Sequence, residues 1–133
     1  MRLLGIDYGD VRIGVALGDT DSKIASPWTI LEHGDFDELI QKILSIMTRE
    51  NAEELVVGVP YSMNGEEGEQ VQKTRVLIDA IREKGILVHE EDERLSSRLA
   101  DTLVRDVKRP GPRDDLAAAS ILQMWLERYG VSS

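Results

Sequence analysis

Hydrophobic positions along the chain change period several times, and each change predicts an element. Arg2 to Asp7 is an apolar run entering a Tyr8-Gly9-Asp10 turn, which predicts a buried strand. Arg12 to Leu17 follows at once and reads as its hairpin partner. Ser26 to Leu31 predicts a third strand, with Pro27 marking an edge position or a strand start. Phe36, Leu39, Ile40, Ile43, Leu44 and Met47 then recur at three and four residues, an amphipathic helix over Asp35–Asn51. The short unbroken run Glu54 to Val59 (ELVVGV) suits a strand buried on both faces of a parallel sheet. Val71, Thr74, Ile78 and Ile81 mark a second helix ending at Lys84-Gly85, and Ile86 to His89 is a further buried strand running into acids.

The remaining pattern is helical. Ala100, Leu103, Val104 and Val107 predict a helix capped by Ser96 or Ser97, which the breaker Arg109–Pro112 (RPGP) ends. Ala118, Ile121, Leu122, Trp125 and Tyr129 share one face of a last helix from about Asp115 to Tyr129. Trp125 reads as core in preference to a dimer contact. The order β-β-β-α-β-α-β-α-α predicts an α/β fold: a mixed five-stranded sheet, three antiparallel strands and then parallel ones, flanked by helices. A chain of 133 residues with no repeat or linker fits one domain spanning 1–133.

Composition narrows the chemistry. There are no cysteines, so disulfides, thiolate catalysis and zinc–thiolate sites are excluded. No run is long enough to span a membrane and no secretory signal is evident, so no membrane partner and a cytoplasmic location are expected. The net charge of −9 disfavours nucleic acid, whose phosphates are bound by lysine and arginine. Its distribution is uneven. Between Arg94 and Arg113 six basic residues face two acidic ones, a net +4, which leaves −13 for the rest. On charge alone this segment is a solvated helix face.

Three acidic positions distant in sequence fall where parallel sheets build their sites, at or beyond the carboxyl ends of strands. Asp7 ends the first strand, Glu90 to Glu93 follow the last strand, and Asp114 opens the last helix. Packed carboxylates repel unless protonated or bound to a cation, and oxygen-rich sets suit Mg²⁺ or Mn²⁺. Each acid also has a plainer role: Asp7 in its own turn, Asp114 or Asp115 as a helix cap, and the 90–93 run as solvated charge. The Gly58–Gly68 loop (GVPYSMNGEEG) is a turn segment or the frame of a substrate groove, and lacks the lysine of a P-loop. His33 and His89 form no recognisable triad and read as structural or surface residues.

Four blocks in order, GIDYGDVRIGVA (Gly5–Ala16), VVGVPYSMNGEEG (Val56–Gly68), DERLSSRLA (Asp92–Ala100) and DDLAAASILQMWL (Asp114–Leu126), resemble the YqgF/RuvX family of RNase H-like proteins, Holliday junction resolvases and ribosomal RNA precursor nucleases. The resemblance runs from end to end. It implies an RNase H-like fold and a metal-dependent endonuclease, a hydrolase of phosphodiester bonds that processes the 5′ end of the 16S rRNA precursor in ribosome biogenesis. Asp7, Glu93 and Asp114 would be the catalytic acids and the ligands of a two-metal Mg²⁺ or Mn²⁺ site, with Asp92 able to share the role of Glu93. Asp114 is preferred to Asp115 because it keeps the family spacing to Ala117, Ala118 and Gln123. Arg12, Arg94, Ser96 and Arg98 would bind substrate, and Arg12 and Arg94 would equally brace the acids. Ser96 and Ser97 stand where the family usually has two threonines.

The nucleic-acid partner is then an rRNA precursor or branched DNA, bound by a monomer or a homodimer. A junction resolvase must cut two strands and so favours the dimer. A noncatalytic assembly factor on the same scaffold is the third reading. A phosphotransferase of the sugar-kinase type, which shares an early D-x-G hairpin, ranks last because the chain lacks a second such domain.

Overall fold

A computed structural model describes residues 1–61, 68–93 and 114–129, without the side chains of Asp114 and Asp115. The helix expected after Ser96, the Arg109–Pro112 breaker and most of the Pro60–Gly68 loop lie outside the described residues. So do Arg94, Ser96 and Arg98.

Strands β1 (Arg2–Tyr8), β2 (Arg12–Asp19) and β3 (Ile24–Glu32) form the antiparallel meander, and β4 (Ala52–Val59) and β5 (Leu87–Asp92) add in parallel. The order across the sheet is β3-β2-β1-β4-β5, so β1 is central, as the expected mixed sheet requires. Helices α1 (Phe36–Arg49), α2 (Glu69–Arg82) and α3 (Asp114–Arg128) connect and cover it. Asp35 caps α1, its carboxylate accepting from the Glu38 amide at 3.1 Å. Gly85, with φ +84°, closes the segment after α2 in the left-handed region that glycine adopts without strain.

Strand alternation divides the core into two layers. Leu4, Ile6, Ile13, Val15, Leu55 and Val57 face α1 and α2, and meet Leu39, Ile43, Leu77, Ile78 and Ile81. Leu3, Ala16 and Val56 face the other way onto Ala118, Ile121, Leu122 and Leu126 of α3. This second layer is tight because β1 and β2 present glycine there. A methyl group on Gly5 would lie 2.8 Å from Leu122 Cβ and 3.0 Å from the Ala118 carbonyl oxygen. The helix can rest on the sheet only because that side chain is missing.

Three expectations need correction. β5 reaches Asp92 where the sequence suggests an end at His89, because Glu90 and Glu91 keep the ladder to Val57 and Gly58. Tyr129 is 43% exposed, not on the inward face, since α3 ends at Arg128. Trp125, by contrast, does pack against the core, half-buried, and stacks between His89 (ring centroids 4.6 Å apart) and Tyr129 (5.1 Å). At the opposite edge, β3 starts at Ile24, two residues earlier than expected. There the Gln123 amide accepts from the Ala25 N–H and donates to the Lys23 carbonyl, both at 2.8 Å, so a helix side chain occupies the open strand edge. Among the described residues no helix is long and apolar enough to cross a membrane.

Gly5→Ala should lower stability by about 1–3 kcal/mol through overpacking, read as a reduced urea midpoint. An unchanged midpoint would contradict the close α3 contact.

Candidate active site

β1 is flanked on both sides, which fixes the backbone that carries Asp7. Asp7 pairs with Gly14 across the hairpin and faces the α3 side of the sheet. Arg12 lies two residues before Gly14, so alternation puts it on the same face, at the exposed start of β2. The hairpin between them is closed by the Gly9 N–H donating to the Arg12 carbonyl at 3.1 Å.

The acids from 90 to 93 are sorted by alternation of β5. Glu90 faces α2, where Arg75 reaches it at 2.7 Å and Arg82 at 3.5 Å; Arg75 also donates to the Tyr61 hydroxyl at 2.7 Å. Glu91 faces α3 and is buried, hydrogen-bonded to Arg128 near the end of that helix. Burial pushes the Glu91 carboxyl up from its ordinary value, and the Arg128 guanidinium opposes that rise. Asp92 turns to the side of Glu90. Glu93 turns back toward Asp7.

Glu93 is therefore the acid of this run that meets the first strand. Its side chain crosses β4 at Gly58, where an added methyl group would lie 2.7 Å from Glu93 Cγ and 2.9 Å from its Oε1. Any larger residue at 58 would fill the path. Burial is the main cause that pushes the Glu93 carboxyl up to about 9, reinforced by its hydrogen bond with Asp7, by the Asp7 charge and by Asp92. At neutral pH Glu93 thus keeps its proton and donates a hydrogen bond to Asp7.

Asp114 is the first residue of α3, the helix that packs against the Asp7 face; its side chain lies outside the described residues. Among the described residues no three His, Asp or Glu side chains form a metal site without it. The donor set that is described, two carboxyl groups in contact, fits a hard oxygen-preferring ion such as Mg²⁺ or Mn²⁺.

Two contributors gave little or no signal in the sequence. Gly58 reads as the start of a loop, although an isolated glycine inside a strand run is itself a sign of close approach. Arg128 carried no local signal, as its partner is 37 residues away. The histidines are structural as expected, but with defined partners: His89 Nε2 lies 2.6 Å from Glu54 Oε1, and His33 Nε2 lies 2.6 Å from the Tyr8 hydroxyl.

Comparison with known proteins decides the family. The family model described as RuvX, Holliday junction resolvase, matches residues 1–128. The chain belongs to the RuvX family. A RuvX relative from Maridesulfovibrio salexigens is 33% identical over 96% of this chain and 99% of its own length. Another, from Acidiphilium cryptum, is 39% identical over 92% and 81%. The names of both class them as candidate pre-16S rRNA nucleases. Among solved structures, T. thermophilus RuvC in complex with Holliday junction substrate has a TM-score of 0.65 at 17% identity, over 95% of this chain and 93% of that one. That likeness shows the fold: the RuvX chain has the RNase H-type sheet of the RuvC resolvases.

The raised Glu93 carboxyl predicts a pH dependence in metal-free protein. A carboxyl whose folded value lies above its unfolded value stabilises the fold fully below the unfolded value of about 4.5, and loses that contribution as pH rises toward 9. Denaturant midpoints in EDTA should therefore fall between these limits, with a slope of up to about 1.4 kcal/mol per pH unit. Glu93→Gln should flatten the profile. An equally steep fall in that variant would show that Glu93 is not the group responsible.

Proposed function

We propose that the chain is a divalent-metal-dependent endonuclease that hydrolyses phosphodiester bonds in the precursor of 16S rRNA, at its 5′ end. The contact between Asp7 and Glu93 carries this reading. A half-buried pair of acids at the carboxyl ends of parallel-linked strands has no packing value of its own and suits a cation. Precursor rRNA as substrate is supported by the names of the relatives.

Asp7, Glu93 and Asp114 would hold the ions. Bound Mg²⁺ or Mn²⁺ supplies an activated water and charge for the leaving oxygen. Asp7 offers a carboxylate fixed by a central strand, and Glu93 becomes a full ligand once its proton leaves. Gly58 gives Glu93 room to reach the same point. Arg12, on the same face near the hairpin, is placed to meet a phosphate. Arg94, Ser96 and Arg98 extend the substrate contacts in this proposal.

Cleavage of a junction is the second reading, favoured by the family description. It requires two sites acting on one junction, hence a dimer.

Purified protein should cut a labelled 16S precursor RNA with Mg²⁺ or Mn²⁺ and not in EDTA. Asp7→Asn should reduce the rate by at least ~100-fold while the protein stays folded. Symmetric cuts in a four-way DNA junction with the RNA left intact would establish the resolvase. Full activity of Asp7→Asn, or of wild type in EDTA, would overturn the metal mechanism.

A further inference from the structure

Tyr8 follows Asp7 along β1, so its side chain projects from the other face of the sheet at the same strand end. An open pocket of about 440 Å³ lies there, lined by Tyr8, Asp10, His33, Phe36, Lys73 and Val76. Phe36 and the 57% exposed Val76 give it an apolar floor. The polar groups converge from three elements: the β1–β2 hairpin, the end of β3 and α2. The Tyr8 hydroxyl holds the His33 ring, and the His33 amide donates to the Val11 carbonyl at 2.9 Å, which ties the hairpin tip to β3. An apolar floor with a few convergent polar groups is the form of a small-ligand site.

Charge decides the occupant. The Lys73 ammonium lies 3.3 Å from Asp10, which lines the pocket with it, and 3.5 Å from Glu69, which does not, so the lysine of the lining is already neutralised. A phosphate would find no spare positive charge there, whereas a neutral planar group would be accepted. It could stack on Phe36, donate to the Asp10 carboxylate and accept from Lys73. A nucleobase has this shape and this donor–acceptor edge, and guanine presents acceptors that suit lysine beside N–H donors that suit a carboxylate. Val11, 71% exposed at the hairpin tip, offers an apolar edge over which a strand can turn.

We propose that this pocket takes a single unstacked base, guanine by preference, from the RNA strand whose backbone crosses Asp7 and Glu93 on the other side of the hairpin. The substrate is then preferentially single-stranded next to the cut, since a paired base would first have to be unpaired and flipped out of its helix. This inference rests on the nuclease reading above.

The test uses precursor-derived RNA oligonucleotides carrying 2-aminopurine, or an abasic residue, at successive positions beside the cleavage site. In EDTA, where the nuclease reading predicts no cutting, 2-aminopurine fluorescence should be quenched on binding at one position. Phe36→Ala should abolish that quenching. Asp10→Asn and Lys73→Met change exposed side chains only, and should weaken base preference at that position without unfolding the protein. With Mg²⁺, the abasic residue at that position should cost wild type about tenfold in kcat/KM and cost Phe36→Ala nothing further. Quenching that requires Phe36, in a protein that cuts no RNA, would uphold the pocket and overturn the nuclease. Cutting with no position-specific quenching, or an abasic penalty equal in wild type and Phe36→Ala, would overturn the pocket alone. No binding of any oligonucleotide would overturn both.

Discussion

Two carboxyl groups pressed together are a cost, and the rest of this fold is arranged around meeting it. Asp7 and Glu93 lie 86 positions apart in sequence, yet parallel pairing of β1, β4 and β5 brings their strand ends to one edge. Gly58 on the intervening strand clears the path. Water is largely displaced from Glu93, so without a cation the pair is tolerable only while Glu93 keeps its proton. A core designed for stability alone would place apolar residues here. On the proposed reading, the acid pair at this rigid strand end trades stability for charge density.

Helix α3 packs over this edge. It rests closely on β1 and β2 because Gly5 and Gly18 have no side chains, and its far end is tied to β5 by Arg128 and the buried Glu91. Glu91 lies in β5 two residues before Glu93, so this ion pair links the strand that leads into one acid to the helix that begins with Asp114. The same edge has a second face. There the hairpin tip, held by Tyr8 and His33, frames the pocket proposed above to take a base.

Much of the fold was legible locally. The three- and four-residue spacing from Phe36 to Met47 leaves a single helical solution, and ELVVGV is too short and too apolar for anything but a central strand. What local pattern could not show was set by partners far along the chain. Glu90 and Glu91 look like loop charge until Arg75, Arg82 and Arg128 are placed beside them. Ile24 and Ala25 fall outside the run expected for β3, and Gln123, 98 positions after Ala25, bonds the Ala25 N–H and the Lys23 carbonyl there. Tyr129 fitted the helical face, but the helix ended one residue too soon to bury it. At the candidate site, motif blocks named Asp7 and Glu93, whereas their contact and the clearance at Gly58 depend on register across three strands, which periodicity does not encode.

The most direct test of the account is a crystal structure of the wild-type chain soaked in Mn²⁺, read by anomalous scattering. The account predicts a manganese peak between the carboxylates of Asp7 and Glu93, absent in crystals of Asp7→Asn. Crystals in which the two carboxyl groups stay hydrogen-bonded to each other, with no peak beside them at millimolar Mn²⁺, would contradict it.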